Sequence, residues 1–226
     1  MPRMARVVIP GVAHHVTQRG NRRGDVFFDD ADRQRYLGLL DHYADKHDLA
    51  IQAYCLMTNH VHLVVVPGQA ESLSRTLKPV HMRYSQHVNW TQNLTGRLWE
   101  GRFFSCPMDA AHLWAAVRYV ERNPVRARIV RKAERYAWSS AAGHCGRRVD
   151  PLVSDPCGLT ERIADWSAWL REPEDEALVE AVRRNTLTGR PAGSEGFIAS
   201  LERLVGRVLR PKKGGRPRKG KGKKPG

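Results

Sequence analysis

Two apolar runs joined by a two-residue turn constrain the fold of this 226-residue chain more than any other feature. Leu49–Met57 and residues 60–66 are rich in aliphatic and β-branched side chains, and Thr58-Asn59 separates them. Such runs are typical of buried strands, and the short polar break between them is typical of a hairpin turn. The sequence therefore predicts a β-hairpin whose second strand carries two histidines.

The segments on either side of the hairpin show strand and helix periodicity in turn. Residues 12–18 alternate as a strand does, and Asp29 or Asp30 can cap the helix that follows. After the hairpin, residues 72–88 have apolar side chains at helical spacing and predict a second helix. Pro79 lies inside this helix and should kink or split it.

A last strand and a further helix complete the predicted fold. Residues 102–108 predict the strand, and Asp109 can cap a helix that continues through Asn123 and is stopped by Pro124. The complete order is strand, helix, strand, strand, helix, strand, helix. This order predicts an α+β fold with a ferredoxin-like antiparallel sheet, helices on one face and an active-site helix.

The charge balance points to a polyanionic partner. The formal net charge is +15 at pH 7 and the isoelectric point is near 10.3, so the chain should be drawn to phosphate backbones. Nucleic acid is the leading partner, and no membrane is expected, because no apolar run approaches the roughly 20 residues of a spanning helix. The N-terminus does not have the pattern of a secretory signal, which predicts a cytoplasmic, nucleoid-associated protein.

The composition changes beyond about residue 145 and divides the chain into three ranges. Residues 1–145 form the predicted catalytic domain, and residues 146–209 form a helical C-terminal extension that we expect to contact DNA. Residues 210–226 contain nine Lys or Arg, no acid and no large apolar side chain. Such a segment cannot bury a core, so we predict a disordered basic tail.

The cysteines suggest neither a disulfide framework nor a zinc knuckle. They are Cys55, Cys106, Cys145 and Cys157, far apart and without a Cys-x-x-Cys pair. We expect reduced, structural thiols. His144 could in principle share a metal with two of them, but the spacing lacks the short ligand pairs of zinc sites.

Four residues on the predicted strand and helix can form one reactive site. His60 and His62 lie two apart on a strand, so their side chains leave the same face and can converge on one ion. Tyr119 and Asn123 lie four apart on a helix and share a face as well. If that helix covers the histidine face, two imidazoles and the Asn123 amide oxygen form a three-ligand metal site. Each residue alone has a common structural explanation, so the hypothesis depends on their joint geometry.

Such a site suits phosphodiester transesterification. A bound Mg²⁺ or Mn²⁺ would polarise the scissile phosphate, and Tyr119 would attack it to give a 5′-phosphotyrosine and a free 3′-OH. Covalent storage conserves the bond, which suits rejoining of strands rather than plain hydrolysis. The nitrogen ligands would equally suit zinc in vitro.

Four segments of the chain together resemble a known family. They are residues 15–21 (HVTQRGN), 54–64 (YCLMTNHVHLV), 98–103 (LWEGRF) and 119–127 (YVERNPVRA). In this order they resemble the single-tyrosine HUH transposases of the IS200/IS605-like kind, and most of all the REP-associated tyrosine transposases. The resemblance covers roughly residues 5–145.

The resemblance implies an enzyme of DNA transposition and recombination that acts on single-stranded DNA beside a hairpin of a repetitive palindromic (REP) element. It also implies that His60, His62 and Asn123 hold a Mg²⁺ or Mn²⁺ ion and that Tyr119 is the nucleophile. On the first strand, His14 and His15 either touch DNA or pack inside the protein, and packing is favoured.

Nine further residues are candidate contacts with nucleic acid: Arg19, Arg22, Arg23, Arg97, Trp99, Arg102, Phe103, Arg216 and Arg218. The first three arginines lie in a turn, where phosphate contact and simple solvation are both open. The two aromatic residues could stack on unpaired bases, or could anchor a loop in a small apolar cluster. The last two arginines lie in a GRPRK segment of the tail, which resembles an AT-hook but could equally be a nonspecific tether.

Three other classes of protein stay open on the sequence alone. A non-catalytic hairpin DNA-binding protein or repressor could use the same scaffold. A rolling-circle initiator or relaxase would usually have paired tyrosines, and Tyr119 has no tyrosine partner on its helix. A sheet-based RNA-binding module would have aromatic strand signatures that this chain lacks. A monomer is favoured over a homodimer, because no segment is clearly spare for assembly.

Removal of residues 210–226 should separate binding from chemistry. The tail holds nine Lys or Arg, so its loss should lower both the DNA affinity and the salt dependence of binding, while strand cleavage persists. Binding titrations at several salt concentrations and a cleavage assay measure the two effects. Loss of cleavage in the truncated chain would contradict the prediction that the tail contributes only to DNA binding.

Overall fold

A four-stranded antiparallel sheet forms the centre of the protein, in a computed structural model that describes residues 5–211. The strands are β1 (His14–Arg19), β2 (Leu49–Met57), β3 (His60–Pro67) and β4 (Phe104–Pro107). They lie in the order β2-β3-β1-β4, and each is antiparallel to its neighbours. This is the ferredoxin-like order, so the predicted fold class and the predicted hairpin are confirmed.

Helices separate and follow these strands. In chain order they are α1 (Asp30–Lys46), α2 (Ser72–Thr91), α3 (Ala110–Glu121), α4 (Asn123–Arg126), α5 (Ala141–His144), α6 (Trp166–Arg171), α7 (Glu176–Thr188) and α8 (Glu195–Val205). Single 3₁₀ turns occupy Ala133–Arg135 and Thr160–Arg162, and Asn21–Arg23 forms a turn with positive φ angles. The carboxylate of Asp29 accepts a hydrogen bond from the backbone N–H of Asp32 and caps α1. In the described part of the chain, no helix is long and apolar enough to cross a membrane.

The sheet buries both of its faces. Alternate residues of a strand point to opposite sides, and Val16, Val61 and Leu63 join the apolar layer under α1 and α2. The histidine face lies on the other side, where α3 and α7 pack. The predicted arrangement, with helices on one face and an active-site helix, is confirmed, and α7 from the C-terminal extension adds to the second face.

Pro79 does not split the second helix, contrary to expectation. α2 runs as one element from Ser72 to Thr91 with Pro79 inside it. Proline has no N–H and therefore removes one hydrogen bond of the helix. The same helix buries Leu77, Val80 and Tyr84 completely, and the burial of such side chains outweighs the loss of one bond.

The helix that carries Tyr119 ends earlier than predicted. α3 ends at Glu121, and Asn123 begins the separate four-residue helix α4. Pro124 accounts for this break, because it lacks the N–H that would continue the hydrogen bonds of α3. The same proline suits the first turn of a new helix, so it lies in the first turn of α4 and does not end the helical region.

The C-terminal extension packs against the sheet. Its apolar side chains share one cluster with residues of β2, β3 and α3, and they include Leu159, Trp166, Leu170, Val179 and Val182. Its helical elements are the 3₁₀ turn Thr160–Arg162, α6, α7 and α8. The division of the chain at residue 145 stays a prediction, and the predicted tail lies almost wholly outside the described residues.

A buried carboxylate joins the extension to the end of α3. Glu121 is fully buried and accepts hydrogen bonds from Ser140 Oγ at 2.5 Å, His144 Nδ1 at 2.6 Å and Trp166 Nε1 at 2.8 Å. Burial alone would lower the pKa of His144, but the hydrogen bond and charge of Glu121 outweigh burial and raise it. This carboxylate lies two residues beyond Tyr119. It therefore joins the end of α3 to α5 and to α6.

Glu121→Gln should destabilise the protein by roughly 2–3 kcal/mol, because the amide turns an N–H toward a group that already donates. The stability linked to the raised pKa of His144 is complete below its unfolded value of 6.5 and is lost as the pH rises through the folded value. Urea denaturation should therefore give a larger difference between wild type and variant at about pH 6 than at about pH 8.

The exposed carboxylate of Glu161 provides the control for this prediction. Glu161→Gln should change the free energy of unfolding by less than about 0.5 kcal/mol at both pH values. If Glu121→Gln lowered the free energy of unfolding equally at both pH values, the pairing of Glu121 with His144 would be contradicted.

Candidate active site

Two histidines and a tyrosine meet on the second face of the sheet. His60 and His62 lie on β3, with ring centroids 5.0 Å apart and ring planes at 87°. The ring of Tyr119, on α3, meets the ring of His62 edge-on at 5.4 Å and 88°. His62 is 6% exposed and Tyr119 is 8% exposed, so this contact is largely shielded from water.

The hairpin turn holds His60 in one tautomer. Asn59 donates its Nδ2 to the backbone carbonyl of Arg23 at 3.0 Å, which orients the amide. Asn59 Oδ1 lies 2.6 Å from His60 Nδ1, and an amide oxygen can only accept, so Nδ1 carries the proton. The lone pair of His60 is therefore on Nε2 and is free to bind a metal ion.

Burial keeps both imidazoles uncharged. Desolvation, with a smaller effect of Arg19, lowers the pKa of His60 to about 4. Desolvation, followed by the charges of neighbouring His15 and His60, lowers the pKa of His62 well below 6.5. Metal ions bind neutral imidazole, so protons do not compete for these two rings near neutral pH.

Asn123 is the remaining predicted ligand. It is 9% exposed, and its Nδ2 has no hydrogen-bond partner among the described residues. Within residues 5–211, no three His, Cys, Asp or Glu side chains are grouped so as to hold a metal ion by themselves. An ion at the histidine pair therefore needs a ligand of another type. The amide of Asn123 carries an oxygen of that type, and two imidazoles with an amide oxygen are donors that divalent ions accept, so the chemistry of the three side chains suits the implied ion and Asn123 stays a predicted ligand.

A cleft of about 190 Å³ opens beside His62 and Tyr119. Its walls come from β1, β3, α3, α7 and the segment around β4: His15, Thr17, Arg19, His62, Glu100, Phe104, Tyr119, Arg183, Thr186 and Leu187. Arg19 pairs with His60 across β1 and β3, so this predicted phosphate contact lies at the site. Arg183 of α7 is a second cation on the wall, and the sequence offered no motif that would have identified it.

A further cation covers Tyr119. Arg126 Cζ lies 3.9 Å from the centroid of the Tyr119 ring, and an Arg126 Nη2–H donates to the carbonyl oxygen of Tyr119 at 3.1 Å. Arg126 Nη1 also donates to both carboxylate oxygens of Glu174, at 2.9 and 3.1 Å. Arg126 lies on α4 and Tyr119 on α3, so this contact depends on how the two helices meet at Arg122.

The two aromatic candidates for base stacking lie in the core. Trp99 and Phe103 are each 7% exposed and belong to the apolar cluster under α1 and α2. Trp99 Nε1 donates to the carbonyl oxygen of His81 at 3.1 Å, and the guanidinium of Arg6 lies 3.6 Å from the centroid of the Phe103 ring. Neither ring is open to a base in this structure, so packing replaces the stacking hypothesis.

The other predicted arginine contacts are on the surface. Arg22 and Arg23 are exposed in the turn after β1, with φ angles of 55° and 62°. This turn begins at Gly20, where a Cβ would come within 2.1 Å of a backbone oxygen, so only glycine fits. Arg97 and Arg102 are also exposed, whereas Arg216 and Arg218 lie outside the described residues.

His14 has a structural role. It is fully buried, and its Nδ1 lies 2.7 Å from the carbonyl oxygen of Val12. The backbone N–H of Ile9 donates to its Nε2 at 3.4 Å. Both ring nitrogens have partners within the protein, so packing rather than contact with DNA accounts for this residue.

The sheet, the histidine pair and the facing helix tyrosine form the arrangement that the resemblance of the sequence to DNA transposases predicts. More specifically, the chain belongs to the IS200-like transposase family, whose sequence profile matches residues 9–123. No curated protein matches the chain significantly.

Two solved structures are similar to the chain. One is a REP-associated tyrosine transposase bound to a REP hairpin, with 18% identity and a TM-score of 0.56 over 68% of this chain and 91% of that one. The other, a candidate transposase from Deinococcus radiodurans R1, has 16% identity and a TM-score of 0.37 over 57% of this chain and 92% of that one. At 18% identity the first structure supports the fold alone. The second is too dissimilar to support the fold.

Trp99→Ala should lower the free energy of unfolding by roughly 3–5 kcal/mol, because it removes a buried indole. Trp90, at the end of α2, is 83% exposed and provides a matched control. Trp90→Ala should change stability by less than about 0.5 kcal/mol in the same urea denaturation experiment. Equal stabilities of the two variants would show that Trp99 does not anchor the core.

Proposed function

We propose that this chain is a metal-dependent single-stranded DNA endonuclease and strand transferase, which cleaves beside a palindromic hairpin and can rejoin the strands. Membership of the IS200-like transposase family supports an enzyme of DNA cleavage and strand transfer. The observation that carries the chemistry is the meeting of Tyr119 with the pair His60 and His62 beside a cleft lined by arginines.

Tyr119 is the nucleophile of a transesterification in this proposal. Its phenolic oxygen bonds to the scissile phosphorus while the bond from phosphorus to the 3′ oxygen breaks. The phenolic proton is released and the 3′ oxygen takes up a proton, so the products are a 5′-phosphotyrosine and a free 3′-OH. Attack by a 3′-OH in the reverse direction restores a phosphodiester and the phenol, which permits rejoining without an outside energy source.

His60, His62 and Asn123 would hold a Mg²⁺ or Mn²⁺ ion. When bound, the ion supplies positive charge to the phosphate oxygens and to the departing 3′ oxygen. The protein itself prepares the ligands: Asn59 keeps the Nε2 lone pair of His60 free, and burial keeps both imidazoles neutral. Zinc would suit the same nitrogen ligands in vitro.

Single-stranded DNA beside a hairpin is the proposed substrate. The solved transposase of similar fold is bound to a REP hairpin, and the charge of +15 on this chain suits a phosphate backbone. Arg19 and Arg183, on the cleft wall, would contact the phosphates next to the cleavage point. The flanking backbone would contact the exposed arginines and the tail, namely Arg22, Arg23, Arg97, Arg102, Arg216 and Arg218.

A monomer would be sufficient for this activity. Tyr119 and His62 are in contact within one chain, which supports a nucleophile that acts in its own subunit. We place this activity in the cytoplasm, on nucleoid DNA, where single strands with palindromic repeats arise.

Tyr119→Phe should abolish the covalent adduct with DNA, because phenylalanine lacks the attacking oxygen. Wild-type protein incubated with end-labelled single-stranded hairpin DNA and Mg²⁺ or Mn²⁺ should form an adduct that survives denaturing electrophoresis. Tyr136→Phe is the matched control: both tyrosines are 8% exposed, but Tyr136 donates its hydroxyl to the carbonyl of Leu56. The control variant should still form the adduct.

Chelation of divalent ions distinguishes this enzyme from a non-catalytic hairpin-binding protein or repressor. EDTA should abolish the adduct but leave the gel-shift complex with hairpin DNA. A wild-type protein that binds the hairpin but forms no adduct with either metal would be a binding protein, and the enzyme proposal would fail. An undiminished adduct in Tyr119→Phe would exclude Tyr119 as the nucleophile.

A further inference from the structure

A chain of hydrogen bonds joins His62 to the C-terminal helix α7. His15 Nε2 lies 3.0 Å from His62 Nδ1, and His15 Nδ1 lies 2.7 Å from Thr186 Oγ1. Thr186 Oγ1 in turn lies 2.7 Å from the carbonyl oxygen of Val182, one turn earlier on α7. His15 and Thr186 are each 1% exposed, so these groups depend on one another rather than on water for their hydrogen bonds.

The carbonyl oxygen of Val182, at the end of this series, determines which group donates in each hydrogen bond. A carbonyl oxygen can only accept, so the single hydroxyl proton of Thr186 points to Val182. Thr186 Oγ1 is then the acceptor toward His15, which must donate from Nδ1 and keep its lone pair on Nε2. His62 therefore donates from Nδ1, and its own lone pair is left on Nε2.

Cys106 of β4 does not change these directions. Its Sγ lies 3.2 Å from Thr186 Oγ1 and 4.0 Å from the carbonyl oxygen of Val182, so the thiol has acceptors without taking the hydroxyl proton. A hydroxyl oxygen has two lone pairs, and these can receive the His15 N–H and the thiol proton together.

The same partner also fixes the plane of the His62 ring. The rings of His15 and His62 lie nearly parallel, with centroids 5.1 Å apart and planes 16° apart, as expected of two imidazoles joined by a hydrogen bond in the ring plane. Tyr119 meets His15 edge-on at 6.0 Å, as it also meets His62. A change in the position of His15 would therefore disturb the metal ligand and the tyrosine together.

We infer that Thr186 of α7 is a positioning residue of the metal site, which acts through His15 to hold His62 with its Nε2 lone pair free for the ion. This inference rests on the proposed function, because it treats His62 as a metal ligand. It makes the C-terminal extension part of the active site, in addition to the DNA contacts expected of it. His60 reaches the same tautomer independently, through Asn59 of the hairpin turn.

Three full-length variants test the inference. Thr186→Val keeps the shape of the side chain but removes the acceptor for His15, and Thr186→Ser keeps the hydroxyl. Thr188→Val is the matched control on the same helix, since the Thr188 hydroxyl is exposed and donates to the carbonyl of Asn185 at 3.2 Å. Mn²⁺ binding to the metal-free proteins, measured by calorimetry and by electron paramagnetic resonance, is the first readout.

Thr186→Val should bind Mn²⁺ roughly tenfold more weakly than wild type, the lower end of what loss of an outer-shell partner costs. Thr186→Ser and Thr188→Val should bind as wild type does. Unchanged binding in folded Thr186→Val would overturn the inference, while a wild-type protein that still binds Mn²⁺ and forms the tyrosine adduct keeps the proposed function. Absence of Mn²⁺ binding in wild type would overturn both.

Nitrogen-15 NMR of the metal-free wild type reads the tautomers directly, without metal and without Thr186→Val. The signals of His15 and His62 are assigned by comparison with His15→Gln and His62→Asn. Both rings should carry their proton on Nδ1. A proton on Nε2 of His62 would overturn the inference whatever the variants do, and this result decides the matter if Thr186→Val does not fold.

Discussion

The antiparallel pairing of β1 with β3 is the interaction on which the site depends. Its register sets Thr17 opposite His62 and Arg19 opposite His60, so the polar side chains of both strands share one face. The other face of the same pair belongs to the apolar layer under α1 and α2. A slip of one residue would exchange the two faces and bury the histidines among aliphatic side chains. β4, which pairs with the free edge of β1, and the tight hairpin turn both oppose such a slip.

Because the polar face is covered by helices, its groups must find hydrogen-bond partners inside the protein. The C-terminal extension supplies them in two places. Thr186 closes the series of bonds that begins at His62, and Trp166 completes the set of donors around Glu121. The first contact lies at His15 of β1, the strand beside the one that carries the histidine pair, and the second lies at the helix that carries Tyr119. The extension therefore helps to fix the position of the helix that carries Tyr119 relative to the sheet that carries the histidines.

The fold class and the meeting of His62 with Tyr119 could be predicted because both follow from local patterns, namely strand and helix periodicity and the spacing of two histidines. The features that the sequence did not predict depend on tertiary packing. The continuity of α2 through Pro79 depends on how much apolar surface that helix buries, and the burial of Trp99 depends on which elements pack over it. Thr186 lies 171 residues from His15 in the chain, and no local pattern encodes such a contact.

The contact between Arg126 and Tyr119 has a consequence for the motion of the phenol. The hydroxyl lies on the axis about which the ring flips, so flipping leaves the oxygen in place and only rotation about the Cα–Cβ bond can carry it away. The guanidinium over one ring face and the edge contact with His62 oppose that rotation. Arg126 is itself tied to the Tyr119 backbone and to Glu174. The side chain has therefore lost much of its rotamer entropy before any substrate arrives, and the proposed attack by Tyr119 would cost little more.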